Sequence, residues 1–362
     1  MAGNEAEVST PLLENIQNQP AALAAIAAYH GGEGRGALER AALLLESKRR
    51  IILSGMGASL FSCIPLHYAL AAQGKQVTTV ETAELLYFLP SLIDSDTAIV
   101  LVSRSGESIE VTKLLPLARE RGATLIGVVN VPGSTLAGRV DQVIVVQSPA
   151  DQLVAIQTYT TTVAMFALLA AILADKSDKS PTAELTATVE IMRHWVPTCI
   201  AASSKWTDFL TGEWPLYLMG RGSSLGAVSE GVLLMHETAK ASAIGMSVPQ
   251  FRHGPVEVTD TRFRGIVIGT QPDTRDLDAS LVEDLTRMQG QVRWLGPKVG
   301  NKDLPQLCGW PEGVPDRFRP VIEVVPLQMA AYRKAELRGV HPGDFRWAPL
   351  VTDTEAGFSI PS

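Results

Sequence analysis

The stretch TAIVLVSRSGESIEV, residues 97–111, runs from six apolar or β-branched residues into three serines, an arginine and a glycine, then into a helical pattern. A run without polar alternation suits a strand buried on both faces, as in parallel sheets covered by helices. The loop that leaves such a strand and enters a helix near Ile109 presents unpaired backbone N–H groups and the positive end of the helix dipole. Ser103, Ser105 and Ser108 add hydroxyls, and Gly106 lets a ligand approach the backbone. The loop also reads as an ordinary N-cap turn with Ser108 as the cap. Three serines exceed what a cap requires.

The same grammar extends in both directions. RRIILSG (49–55), QVTTVE (76–81), TLIGVVN (124–130) and QVIVVQ (142–147) read as further strands, with helical patterns near 59–72 and 109–122. The pattern restarts with WPLYLMGRGSS (214–224), RGIVIGT (264–270), QVRWLG (291–296) and PVIEVV (320–325). The expected fold class is α/β, with two tandem units that are each a doubly wound parallel β-sheet flanked by helices. The expected divisions are an N-terminal helical segment 1–34, a first domain 35–174, a link DKSDKSPT at 175–182, a second domain 183–340 and a tail 341–362. SGMGAS (54–59), SRSGES (103–108) and MGRGSS (219–224) all fall at strand ends, where open parallel sheets bind ligands.

Length and composition narrow the function classes. A chain of 362 residues suffices for two domains, each with its own core. A formal net charge of −7 disfavours a nucleic-acid partner, so an anion must be bound locally. Cys63, Cys199 and Cys308 lack metal-like or CxxC spacing, which suits a reducing cytoplasm and argues against disulfides or zinc. The acidic start, MAGNEAEVST, lacks the order of a secretion signal. VAMFALLAAILA (163–174) has 12 residues, short of the roughly 20 that span a bilayer, and reads as a core helix. A cytoplasmic protein with no membrane or nucleic-acid partner is expected. SGMGAS lacks the third glycine and following acid of a dinucleotide fingerprint, so its glycines read as a tight turn or an anion loop. No Walker lysine, Ser-His-Asp set or metal-ligand cluster appears, so no metal and no cofactor is expected.

The second half supplies acid–base candidates. In EGVLLMHETAKASA (230–243), Glu237 lies toward the end of an apolar helix, and Glu230, seven residues earlier, shares its face. Both also read as surface or ion-paired carboxylates. His253 follows Glu237 by sixteen residues, in the proline-bounded loop PQFRHGP, where a histidine taken alone is more often structural than catalytic. Arg104, Arg221 and Arg252 are candidate sources of positive charge at the strand ends.

With these pieces together, the chain resembles the sugar isomerase (SIS) domain family. It is most similar to the isomerase half of glucosamine-6-phosphate synthase and to stand-alone phosphosugar deaminases and fructosamine-6-phosphate deglycases. The resemblance rests on SGMGAS, SRSGES, MGRGSSLGAVSEGVLLMHE and FRHGPVE. It implies that Ser103, Arg104, Ser105 and Ser108 hold a 6-phosphate, with Gly57 and Ser59 of SGMGAS as further contacts. Arg104 stands where the synthase has glutamine, and Ala58 where it has threonine. Glu237 falls on the glutamate that moves a proton between C1 and C2. His253 falls on the histidine of the HGP motif, which assists ring opening and reaches in from the partner subunit of a homodimer. Arg221, Ser223, Arg346 and Trp347 are further candidate contacts, the last two in a tail laid over the site.

Two departures weigh on the chemistry. Leu234 and Leu350 stand where the synthase has lysines, which argues against amino transfer or a lysine imine. The chain does not begin Met-Cys and shows no glutaminase half, so ammonia delivery from glutamine is not expected. The resemblance implies a small-molecule sugar phosphate ligand and a deglycase or deaminase acting through an enediol or enolamine. Aldose–ketose isomerisation of a sugar with an anionic C6 group remains an alternative, as does a non-catalytic phosphosugar sensor. The pocket for the amine side is expected in loops such as 306–319, which carry no motif.

Overall fold

In the computed structural model, which describes residues 10–357, the expected strands gather into two parallel sheets. The ends of the N-terminal segment and of the tail, 1–9 and 358–362, lie outside the described residues. The first sheet contains β1 (Arg50–Gly55), β2 (Gln76–Glu81), β3 (Thr97–Val102), β4 (Thr124–Val129) and β5 (Gln142–Val145). Its order is β2-β1-β3-β4-β5, all parallel. Its helices are α1 (Pro11–Gly31), α2 (Arg35–Glu46), α3 (Ala58–Ala72), α4 (Thr82–Tyr87), α5 (Ile109–Glu120) and α6 (Gln157–Ala174). The order reverses between β1 and β3, so SGMGAS and SRSGES flank the crevice at their carboxyl ends.

The second half begins with α7 (Ser180–Ser203) and α8 (Thr207–Leu210), so the last three residues of DKSDKSPT belong to a helix. It continues through β6 (Leu216–Gly220), α9 (Leu225–Ala239), β7 (Ala243–Ser247), α10 (Val248–Arg252), β8 (Arg264–Ile268), α11 (Arg275–Arg287), β9 (Gln291–Leu295) and α12 (Arg319–Leu337). The order β7-β6-β8-β9, again parallel, repeats that of the first four strands.

Two expectations need correction. PVIEVV is the start of α12 and not a strand. A short apolar run does not distinguish a buried strand from a buried helix. Here Pro320 sits in the first turn, where its missing N–H costs nothing, and apolar residues continue to Ala335. The fourth strand is instead AIGMS in β7, an edge strand whose side chains are mostly half-buried or exposed, so its apolar signal is weak. The expected core helix at 163–174 starts six residues earlier, at Gln157. By length and composition alone α6 is able to cross a membrane, yet 83% of it is buried inside the protein, against α1, α2 and α3.

The sheets do not have separate cores throughout, as two independent domains would. Alternate residues of each strand face opposite ways. Ile51, Leu53, Val100 and Ile126 of the first sheet join Leu216, Leu218, Ile266 and Ile268 of the second in one continuous cluster. Helices α6, α7, α9 and α12 contribute to that cluster. The outer faces keep clusters of their own, one around Ile99, Leu101 and Leu114, the other around Val267, Val282 and Trp294. The result places α9, a helix of the second sheet, against α3 of the first.

Glycines at the ends of β8 and β9 are required by a fully buried indole. A Cβ at Gly269 would lie 1.7 Å from the Trp294 ring, and one at Gly296 would lie 2.7 Å from the Gly269 carbonyl oxygen. Trp294 is held by its Nε1, which donates to the Pro297 carbonyl at 3.0 Å, so the ring has little freedom to move. Gly269→Ala is therefore expected to destabilise the protein by about 2–3 kcal/mol, read from the denaturant midpoint. A midpoint unchanged from wild type would show that the ring yields freely.

Candidate active site

The SRSGES loop is built as a cradle. Its backbone is clamped from outside: Ser103 N donates to Val128 O at 3.0 Å, Asn130 N to Arg104 O at 3.0 Å, and Leu136 N to Gly106 O at 3.0 Å. Thr135 N donates to the Glu107 carboxylate at 2.7 Å, and this bonding holds Glu107 below the usual carboxylate range. Gly106 has φ +69°, and a Cβ there would lie 2.1 Å from Ser134 Oγ, so only glycine serves. The N-cap reading of Ser108 does not hold. Its side chain makes no capping bond to α5 and lies instead 3.2 Å from Ser103 Oγ.

These residues line a cavity of about 290 Å³. Ser59, Ser103, Arg104, Ser105, Ser108 and Gly57 all border it, so every residue that the resemblance assigned to phosphate is brought together. The Arg104 guanidinium bonds only to carbonyl oxygens, of Leu153 at 3.2 Å and Leu350 at 3.5 Å. Its charge is thus not cancelled by a directly bonded carboxylate among the described residues.

Glu237 borders the same cavity, carried there by α9 from the second sheet. Its pKa is pushed up to about 7 because burial disfavours the carboxylate, while Arg104 and Lys240 pull in the opposite direction. Glu230, fully buried seven residues earlier, lies well above the ordinary carboxylate range through burial, then through the charges of Glu237 and Asp151. Neither is the surface carboxylate of the plainer reading.

One contributor was missed in the sequence. Tyr159, on α6, borders the cavity, and burial together with nearby Glu230, Glu323 and Cys63 keeps its phenol protonated. Asp151 fixes this wall. Its carboxylate accepts from the backbone N–H of Ile156, Gln157 and Thr158 at 2.9–3.0 Å and from Thr158 Oγ1 at 2.6 Å. An Asp shortly ahead of a helical run is a start signal that would have placed the helix correctly.

Tail residues Phe345 and 348–352 line the cavity. Ile109 N donates to Thr352 O at 3.0 Å, and the Tyr87 hydroxyl donates to the Glu355 carboxylate at 2.6 Å. Leu350 borders the cavity, whereas Leu234 is buried in the shared core. Arg346 and Trp347 face an adjoining compartment rather than the cradle.

Other candidates lie elsewhere. His253 is exposed at the end of α10 and does not border the cavity of its own chain. Arg252, exposed beside it, pairs with Asp284 at 3.1 Å. Arg221 is paired with buried Asp278 at 2.5 Å, and Ser223 accepts from Gln271 Nε2 at 2.9 Å, so both belong to the second sheet's own turn. The loop 306–319 borders neither compartment. Leu307 N donates to Trp294 O, and Leu307 and Cys308 are buried in the core.

Residues 44–174 match the family model described as SIS domain. A glutamine–fructose-6-phosphate aminotransferase (isomerizing) of Pyrococcus horikoshii is 28% identical over 308 residues, covering 84% of this chain and 51% of that protein. The chain spans about half the length of the curated relatives it matches. The C-terminal domain of a glucosamine-fructose-6-phosphate aminotransferase from Francisella tularensis superposes with a TM-score of 0.81 at 19% identity, covering 94% of this chain and 99% of that one. A glucosamine-6-phosphate deaminase from Thermotoga maritima gives a TM-score of 0.72 at 18% identity, covering 92% and 97%. At such identities the structural likeness is one of fold. Residues 44–174 are thus similar to the SIS domain, and along most of its length the chain is similar to the isomerase half of the glutamine–fructose-6-phosphate aminotransferases.

Proposed function

We propose that the protein is a deglycase-type enzyme that hydrolyses a 6-phosphorylated ketosamine to an aldose phosphate and an amine. One observation carries this reading: the serine cradle and a carboxyl whose pKa is about 7 border a single cavity. Ser103, Ser105 and Ser108, with the Arg104 charge, anchor the phosphate at one end. Glu237, as carboxylate, removes a proton from C1 while the C2 carbonyl oxygen takes up a proton from the substrate's own ammonium nitrogen, which gives the enolamine. The resulting carboxylic acid returns the proton to C2, leaving an imine at C1. Water adds to that imine and the amine departs with the released proton. A proton affinity near neutrality suits both directions of transfer. The two parallel sheets with one strand order support the tandem reading of the fold.

Glu237→Gln is expected to lower turnover by about 10²–10⁴-fold while keeping the rise in melting temperature that a sugar phosphate produces. Undiminished turnover would remove Glu237 from the chemistry.

The pH dependence follows from the same group. Catalysis needs the carboxylate, so kcat/KM should rise with pH along a limb centred near 7. Arg104 favours the charged form, so Arg104→Gln should move that limb to higher pH. Folding raises this pKa above its value of about 4.5 in the open chain, so Glu237 adds stability at low pH that is lost as pH rises through about 7. Glu237→Gln should accordingly gain on wild type in melting temperature between those pH values and level off above them. A limb unmoved in Arg104→Gln would contradict the assignment.

His253, exposed and outside its own cavity, acts in this reading within the cavity of a second copy. Mixing inactive Glu237→Gln with inactive His253→Ala should then restore about a quarter of wild-type activity, since half of randomly formed dimers hold one intact site. No recovery on mixing would place the histidine outside the reaction.

A further inference from the structure

At the amino ends of β6 and β8, three cations gather on the inner face of the second sheet. Arg264 opens β8, and Arg293 of β9 lies on the same face, since its partner in register is Ile266, two residues along from Arg264. Lys334, in the last turn of α12, is only 7% exposed. None of the three bonds to a carboxylate among the described residues. Arg264 Nη1 donates to the carbonyls of Thr261 and Phe263, each at 3.1 Å, and Arg293 Nη1 to that of Val292 at 3.1 Å. Lys334 Nζ donates to the carbonyls of Leu210, at 2.9 Å, and Gly212. The acids whose charge reaches them are engaged elsewhere: Asp260 pairs with Arg262 at 2.5 Å, and Glu213 with Arg338.

Burial draws all three below their ordinary pKa, and Arg264 adds its repulsion to both of the others. Arg264 Nε is moreover buried without a hydrogen-bond partner. Buried cations and buried donors are costly unless something meets them. Arg264 and Lys334 border a cavity of about 10 Å³, walled also by Leu210, Gly212, Trp214 and Ser242, with no acid in its lining. It shares no residue with the cradle. Ala241 and Ser242 border both it and the compartment of Arg346 and Trp347. A cavity of this size holds one water-sized body and has no room for a phosphate or a carboxylate. Water would give Nε an acceptor but leave three positive charges unmatched.

We propose that this cavity is a binding site for a single monatomic anion of chloride size. The anion accepts from Arg264 and from the third N–H of Lys334, with the Arg293 charge behind. It ties β8 to the end of α12, and it is independent of the ketosamine reading.

The test follows the melting temperature of the full chain at fixed pH and ionic strength, with sodium chloride exchanged for sodium gluconate, whose anion is too large for the cavity. Chloride should raise the melting temperature by about 2 °C or more, with the concentration dependence of a single site. Bromide should do the same. Arg264→Met keeps an unbranched stem without the charge and should abolish the rise. No rise in wild type overturns the proposal. A rise undiminished in Arg264→Met also overturns it, since the anion then binds elsewhere, as in the serine cradle. Wild-type crystals grown in bromide give the answer if Arg264→Met does not fold. An anomalous peak between Arg264 and Lys334 upholds the site, and a cavity without one overturns it.

Discussion

Withdrawing the Glu237 carboxyl from water, within reach of two cations, is the balance on which the arrangement of the site depends. Desolvation alone would hold the group neutral, while Arg104 and Lys240 alone would hold it charged. Each influence comes from a different part of the chain: burial from α9 lying in the shared core, Arg104 from the first sheet, Lys240 from the end of α9. Glu230 shows what happens without the cations. Seven residues deeper, it is buried without a cation to offset that burial and lies well above the carboxylate range. Position along one helix thus separates a carboxyl that exchanges protons near neutral pH from one that does not.

That balance requires the two sheets to share a core. The first sheet by itself presents donors for an anion but no base, and the second presents a carboxyl but no open cradle. The cradle in turn gives up something locally. Ser108 does not cap α5, a bond worth about 1 kcal/mol at a helix start. Its hydroxyl is left beside Ser103 in the cavity, and the loop gets its shape from backbone bonds to β4 and to the loop at 130–136. A turn serving only to start a helix would have no reason for this exchange.

The central strands β3 and β4 of the first sheet were readable because they are buried on both faces, so TAIVLV and TLIGVV carry an unbroken signal. AIGMS was not readable, because an edge strand needs apolar residues on fewer positions. PVIEVV misled for the opposite reason, since α12 is buried nearly all round and carries no helical stripe. In the site, the cradle residues were legible because hydroxyl, guanidinium and glycine sit within six consecutive positions. Tyr159 was overlooked although Asp151 signals the start of α6 only a few residues ahead of it, whereas Lys240 was not legible because it depends on a tail about a hundred residues away. Sequence proximity reports a loop well and a cavity wall poorly.

The two strand-to-helix turns with equivalent places in the sheets have taken opposite courses. In the first, after β1, Gly57 and Ser59 remain at an open cavity. In the second, after β6, Gln271 donates to Ser223 and Ser224, Ser224 donates to buried Glu323, and Arg221 is held by Asp278. The donors that would meet an anion there are consumed by the protein's own acceptors. Two acids, Glu323 and Asp278, thus stand where a ligand's negative charge would otherwise be needed. Because α12 brings Glu323 into the core beside α9, filling the second turn also fixes the helix that carries Glu237. One turn leaves its donors at an open cavity; in the other they are bonded within the protein, beside the helix that carries Glu237.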